Sequence, residues 1–458
     1  MLRSFVIVGA MIAAATVAAV SASASDSDGT DRERLHDIAA QAYDGDRPGA
    51  SILVFHDGEV LLHEAFGMAS LELDVPMATD HRFRVASVTK QFTGAAVMRL
   101  VEDGVLDPDA DIRTYLPDFP DHGATITLRH LLGHTSGLYN YTNHDDYEAI
   151  SHTDIDLART LTYFRDETLD FPVGTDWSYS NSGYALATLI IETVTGDTFA
   201  NFVETRLFAP AGMSRSQLQR PHAVMAASPS TYWHNENGFY PAPHAGISGH
   251  GDGEIHATTG DLLAWYQALW SDRILSPAAR QTFLSSQTLP DGRDTRYGMG
   301  LFHGRVGEYS TYEHGGNVGG WRAYVIMVPQ TDTFVAVLAN ATDRDEGTIA
   351  SNLVKAALGL DLAGSSDTAV SLDVDSLARL AGLYRHGPGD ERVIRVSDNR
   401  LQSRRGGGTW YDLTALTETT FAFAEDADTR ITFTEDGLQV SYRYGMDHVA
   451  TRVEEDTR

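Results

Sequence analysis

Between residues 50 and 67 apolar and polar side chains alternate around the turn dipeptide Asp57-Gly58, the pattern of two antiparallel strands in a hairpin. The period then lengthens. Residues 92–101 carry apolar positions at helical spacing and stop before Asp103-Gly104, which puts Ser87 and Lys90 at a helix start. Residues 112–250 read mostly as helix and loop, with 128–134, 157–164 and 184–194 as the helical pieces. Strand signals return at 309–313, 323–328 and 334–339, aromatic or β-branched runs separated by glycines or by Pro329-Gln330-Thr331-Asp332. A sheet split between the two ends of a unit, with helices inserted between, is an α+β arrangement rather than an alternating βαβ one. Past a small polar linker at 363–372 the strands become short (393–396, 420–424, 430–433, 439–444), with turns at Asp398-Asn399 and Asp436-Gly437. The expected organisation is an α+β unit over 25–362 and an antiparallel β domain or small barrel over 373–458.

Length and charge narrow what such a chain can do. At 458 residues, 42% hydrophobic and 21% charged, it can bury a large core, and two domains are expected. Asp and Glu number 63 against 34 Lys and Arg, a net charge of −29, which repels phosphate backbones and excludes nucleic acid as a partner. The absence of cysteine excludes disulfides, thiolate metal sites and a cysteine nucleophile. Residues 1–24 read as an export signal: Arg3, an apolar run over 5–20, then Ala22-Ser23-Ala24. That run is short beside the roughly 20 apolar residues a membrane span needs. A periplasmic or secreted protein without stable membrane insertion after signal cleavage is expected.

Lysine occurs only at Lys90 and Lys355; every other basic residue is arginine. Arginine stays protonated, whereas burial can neutralise lysine, so each lysine asks for a reason. Lys90 closes Ser87-Val-Thr-Lys90, and residues three apart share a helix face, so a desolvated amine can reach the serine hydroxyl and take its proton. A second segment, Tyr179-Ser180-Asn181, would aim a phenol and a carboxamide together into a cleft if extended. A third, His314-Gly315-Gly316-Asn317, ends a strand where glycines admit a ligand backbone and leave amides to an oxyanion. It does not match Gly-x-Gly-x-x-Gly, since Asn317 sits where a glycine would be required. His130 and His134 are four apart, as zinc ligands can be, but no glutamate lies between them, and His244, His250 and His256 fall in a glycine-rich loop. No metal and no cofactor is expected.

These segments, in this order and in a chain that starts with an export signal, resemble the superfamily of penicillin-binding proteins and serine β-lactamases. The resemblance covers about residues 47–341. It is nearest the branch of class C β-lactamases, D-alanyl-D-alanine carboxypeptidases with a histidine third motif, D-aminopeptidases and β-lactamase-like esterases. Leu131-Leu-Gly-His-Thr-Ser-Gly-Leu138 and the stretches 83–92, 177–184 and 298–300 are similar to the same branch. The resemblance implies Ser87 as the acylated nucleophile, Lys90 as its proton acceptor, Tyr179 as the relay to the leaving group and Asn181 as a ligand of the substrate carbonyl. It further implies His314, Gly315, Gly316 and Asn317 as the substrate-binding strand, with the amides of Ser87 and Asn317 as oxyanion donors. Lactamases of this branch usually carry Lys-Thr-Gly where this chain has His-Gly-Gly, so neither a fixed cation nor a hydroxyl is present for a drug carboxylate unless Arg322 substitutes. The expectation is a serine hydrolase that forms an acyl-enzyme with an ester, D-amino-acid amide or peptide. A β-lactamase proper and a non-catalytic peptidoglycan- or ligand-binding protein on the same scaffold are the competing readings.

Overall fold

The run Thr333–Ala339 shows no alternation because both of its faces are covered, as every residue in it is buried. It sits inside a six-stranded antiparallel sheet, described here from a computed structural model. That model covers residues 20–453 apart from 44, 221–223, 247–249, 363–368, 388–389, 407–409, 425–428, 442, 444 and 446–447. The strands are β1 (Ala50–His56), β2 (Glu59–Phe66), β3 (Phe302–Val306), β4 (Tyr309–Val318), β5 (Trp321–Val328) and β6 (Thr333–Ala339). Their spatial order is β3-β4-β5-β6-β1-β2, so the two ends of the chain segment meet at the β6–β1 pair, Ala50 opposite Ala339. The split sheet expected from the sequence is what forms.

One face of the sheet, carrying Ile52, Val54, Tyr324, Ile326 and Val337, packs against helix α1 (Val20–Tyr43) and the helix Glu346–Ala357. The other face, with Leu53, Phe55, Ala323, Val325 and Met327, meets the larger core of the inserted helical region. At the centre of that core lies α2 (Lys90–Glu102), buried along most of its length through Phe92, Ala95, Ala96 and Met98. Burying side chains the size of Phe92 and Met98 contributes about 1.5–3 kcal/mol each, which fixes α2 rigidly beneath the sheet end. Two helical pieces are shorter than their periodicity suggests. Helix α3 covers only Leu128–Leu132, because Gly133 closes it, and the piece at 157–164 is helical only over Leu157–Leu161.

The C-terminal strands close into an eight-stranded antiparallel barrel, Gly382–Gly387 through His448–Arg452, with its own apolar interior of Leu401, Phe421, Ile431, Leu438 and Val440. The short helix Val374–Leu380 packs against it through Leu377. Part of the expected linker, 363–368, lies outside the described residues; Val370 already donates its amide to Ala415 of the barrel. The export-signal reading falls mainly outside them too, and its last residues, 20–24, begin α1. Among the described residues no helix is long and apolar enough to cross a membrane.

Candidate active site

After the short strand Phe83–Arg84 the chain turns sharply at Val85 into a 3₁₀ turn, Ala86–Thr89, that runs straight into α2. Ala86 takes φ +46°, a left-handed conformation that costs a non-glycine residue roughly 1–2 kcal/mol. The strain lifts Ser87 off the helix end, half-exposed, while Lys90 one turn on is wholly buried. Nζ of Lys90 lies 3.2 Å from Ser87 Oγ, 2.7 Å from Asn181 Oδ1 and 3.0 Å from the Asp252 carbonyl oxygen. The last two groups can only accept. They take two N–H bonds from the amine, and its third tetrahedral direction faces the serine hydroxyl.

Asn181 is the first residue of the helix α4 (Asn181–Thr195) rather than part of an extended tripeptide. Tyr179 and Asn181 nevertheless converge on Lys90, the phenol ring with its centroid 4.9 Å from Nζ and the carboxamide by a hydrogen bond. The Tyr179 hydroxyl is buried with no hydrogen-bond partner among the described residues. His134 supports this phenol. Its ring packs tilted against Tyr179 at 4.3 Å between centroids, its Nδ1 accepts the Ser180 amide, and its φ of +61° turns the chain after α3. His130 stays in α3, where it caps Thr127, so the two histidines diverge and the zinc spacing is not realised. Among the described residues no three His, Asp or Glu side chains gather as metal ligands would.

The His-Gly-Gly segment lies on β4. Strand β3 pairs with β4 only as far as Glu313, so among the described residues 314–318 pair with β5 alone and leave their other edge open beside the serine turn. Gly316 is what allows that approach: a Cβ there would stand 2.1 Å from the Val85 carbonyl oxygen. His314 faces the Ser87 side but is buried. Its Nδ1 lies 2.6 Å from the Gly315 carbonyl oxygen and so carries the proton, leaving Nε2 to accept from Tyr297 Oη at 3.1 Å. Burial holds His314 down at about 3. A neutral, doubly bonded imidazole has no cation to offer a carboxylate. Nor does Arg322 supply one. It sits opposite Asn317 on the other face of the sheet and spends its guanidinium on Asn317 Oδ1 and the carbonyls of Gly319 and Trp321. The Asn317 side chain is thereby turned away from Ser87.

Ser87, Tyr179 and Asn181 gather around the Lys90 amine with His314 and Gly316 beside them, whereas Gly315 and the Asn317 side chain face Tyr324 and Arg322 on the other side of the strand. Sequence reasoning missed Tyr297, the Asp252 carbonyl and Phe302, whose ring stacks on Tyr179 and lies 5.1 Å from His314. Only Gly-His-Thr-Ser-Gly and the Gly298–Gly300 stretch hinted at them.

Several histidines are buried uncharged, and this fixes a pH dependence. His314 and His256 are held down at about 3, and burial lowers His134 well below the ordinary range. The unfolded chain binds these protons from about pH 6.5 downward and the fold does not, so stability falls as pH drops from about 6.5 toward 3. Glu346, raised to about 7 by burial, works the other way between its unfolded pKa and 7. Burial also pushes Glu254 and Asp170 up in that same sense, while His63, His81, His130 and His303 are lowered in the sense of the other histidines. We expect His256→Gln to flatten the acid limb of a urea-midpoint series by about 1.4 kcal/mol per pH unit between roughly pH 4 and 6. An unaltered slope would mean that His256 titrates normally in the fold.

A serine and a buried lysine at a helix start, a facing Tyr-x-Asn segment and a glycine-rich strand edge define a serine hydrolase of the β-lactamase and penicillin-binding-protein superfamily. Residues 32–358 match the family described as beta-lactamase, and the chain belongs to it. The chain is 27% identical to penicillin-binding protein 4* of Bacillus subtilis (strain 168), over 88% of this chain and 94% of the relative. To the D-aminopeptidase of Gluconobacter oxydans it is 30% identical, over 68% of this chain but 59% of that enzyme. Two solved structures share the fold. An octameric penicillin-binding protein homologue from Pyrococcus abyssi superimposes with a TM-score of 0.65 at 21% identity, covering 92% of this chain and 99% of its own. A D-amino acid amidase from Ochrobactrum anthropi SV3 gives 0.61 at 22%, covering 72% and 98%.

Proposed function

We propose that this protein is an exported hydrolase, periplasmic or secreted, that cleaves D-amino-acid amides, peptides or esters through an acyl-enzyme on Ser87. The observation that carries the reading is the setting of Lys90: two acceptor-only groups hold the amine, and the serine hydroxyl occupies its remaining direction. The amine takes the Ser87 proton as Oγ attacks the carbonyl carbon. The amides of Ser87 and Asn317 receive the oxyanion, and Tyr179, whose hydroxyl has no partner among the described residues, relays the proton taken up by Lys90 to the leaving nitrogen or oxygen. Water then attacks the ester and frees Ser87. Asn181 fits a double role, holding Lys90 and presenting its amide toward the substrate carbonyl.

Substrate class follows from the third motif. A lactamase must hold the drug's free carboxylate beside the open edge of β4, and here that position has a neutral His314 already bonded at both nitrogens. Substrates without a carboxylate at that point are favoured, and the D-aminopeptidase relatives support an amide or peptide of a D-amino acid. The expected organisation is a catalytic unit at 25–362, a linker at 363–372 and the β domain at 373–458. Side-by-side kinetics test the choice. D-amino-acid p-nitroanilides or short-chain esters are expected to turn over at least ~10²-fold faster in kcat/KM than penicillin G or a chromogenic cephalosporin, the order of losing one or two charge-assisted bonds. Efficient hydrolysis of the lactams would overturn the assignment.

A further inference from the structure

The C-terminal barrel sends one side chain into the catalytic unit. Arg443 lies in the segment after the strand Gly437–Ser441, and its guanidinium is buried against β4: Nη1 is 2.7 Å from Glu313 Oε2 and Nη2 is 3.0 Å from the Tyr324 hydroxyl. The two side chains of the ion pair are 3% and 0% exposed. Tyr324 donates to the same carboxylate at 2.7 Å, and Thr311 donates to its other oxygen at 2.6 Å. Glycine at 304 on β3 makes room for this cluster, since a Cβ there would meet Glu313 Oε1 at 1.8 Å.

Two features tie the cluster to the site. Glu313 is the last residue of β4 that pairs with β3, directly before His314 and the open strand edge. The Tyr324 ring lies flush against Gly315, where an added Cβ would be 3.1 Å from its carbons. The backbone around Arg443 also runs along β3: its carbonyl accepts the Arg305 amide, and Gly445 donates to the His303 carbonyl while resting on Phe302. Phe302 in turn touches Tyr179 and His314.

We propose that Arg443 is a positioning residue for the substrate-binding strand, so that the barrel completes the catalytic unit instead of merely following it. By neutralising Glu313 and fixing Tyr324, Arg443 sets the height and twist of 314–317. This inference rests on the reading of that edge as the place where an extended substrate binds. A displacement of about 1 Å in a positioning element can cost ~10²-fold, and the cost falls on substrates long enough to pair with the strand.

The test compares two substrates on the full chain, with rates expressed per active site titrated by an acylating burst. Arg443→Met is expected to raise KM for a D-amino-acid peptide or p-nitroanilide at least tenfold more than it changes the constants for p-nitrophenyl acetate, which is too small to use the edge. Arg443→Met with Glu313→Gln removes both charges and should recover a large part of the loss, and Arg443→Lys should fall between. If Arg443→Met does not fold, the double variant and Arg443→Lys carry the comparison. Equal losses on both substrates, or a lowered melting temperature with unchanged constants, would overturn the proposal. Absence of a p-nitrophenyl acetate burst in the unmodified protein would instead strike the acyl-enzyme reading itself.

Discussion

Ser87→Ala is expected to lose about 10⁴-fold or more in kcat on every substrate the enzyme accepts, the scale seen when a nucleophile that works as part of a unit is removed. The reason is geometric. Ser87 is the hydroxyl lying 3.2 Å from the buried Lys90 amine, it stands at the strained turn where Ala86 takes a positive φ, and it faces the open edge of β4. Removing Oγ leaves the oxyanion donors and the binding edge in place, so KM should move little while kcat collapses. Steady-state kinetics with active-site concentration controlled by intact mass would measure it. Residual turnover within tenfold of the unmodified enzyme would place the nucleophile elsewhere.

Lys90→Arg is expected to lose at least ~10²-fold, about as much as Lys90→Ala, although it preserves the charge. A guanidinium cannot deprotonate, and its plane does not fit a slot whose acceptors, Asn181 Oδ1 and the Asp252 carbonyl, are arranged for one nitrogen. Lys90 is wholly buried, so there is no solvent direction into which a longer side chain could relax. Presteady-state acylation rates separate this effect from binding. Near-normal acylation in Lys90→Arg would show that only the positive charge is used.

What the sequence made legible here is local. Ser87 and Lys90 are three residues apart on one helix face, and the hairpin at 50–67 and the late strands have clean period-2 patterns around turn residues. The fold class followed from where those strands lie along the chain. The remaining parts of the site come from tertiary contacts that leave no periodic trace. The Asp252 carbonyl is a backbone group in a glycine-rich loop brought beneath Lys90 by the fold. Arg322 reads as a free cation in the sequence, and only the β4–β5 register, with Asn317 opposite it, shows that it faces the other side of the sheet. The spacing of His130 and His134 suggested a shared helix face, but Gly133 ends α3 between them and a positive φ at His134 swings it under Tyr179. Likewise the strand signals at the C-terminus predicted an antiparallel domain, while the reach of Arg443 into Glu313 joins residues 130 positions apart.

The central claim is a covalent bond to one oxygen, and intact-protein mass spectrometry after brief mixing with a slowly deacylating D-amino-acid ester or a fluorophosphonate, followed by peptide mapping, tests it most directly. One adduct per chain on the peptide holding Ser87, absent in Ser87→Ala and strongly slowed in Lys90→Arg, is the predicted result. An adduct on another residue, or turnover of the ester with the Ser87 peptide never modified in any variant, would contradict it.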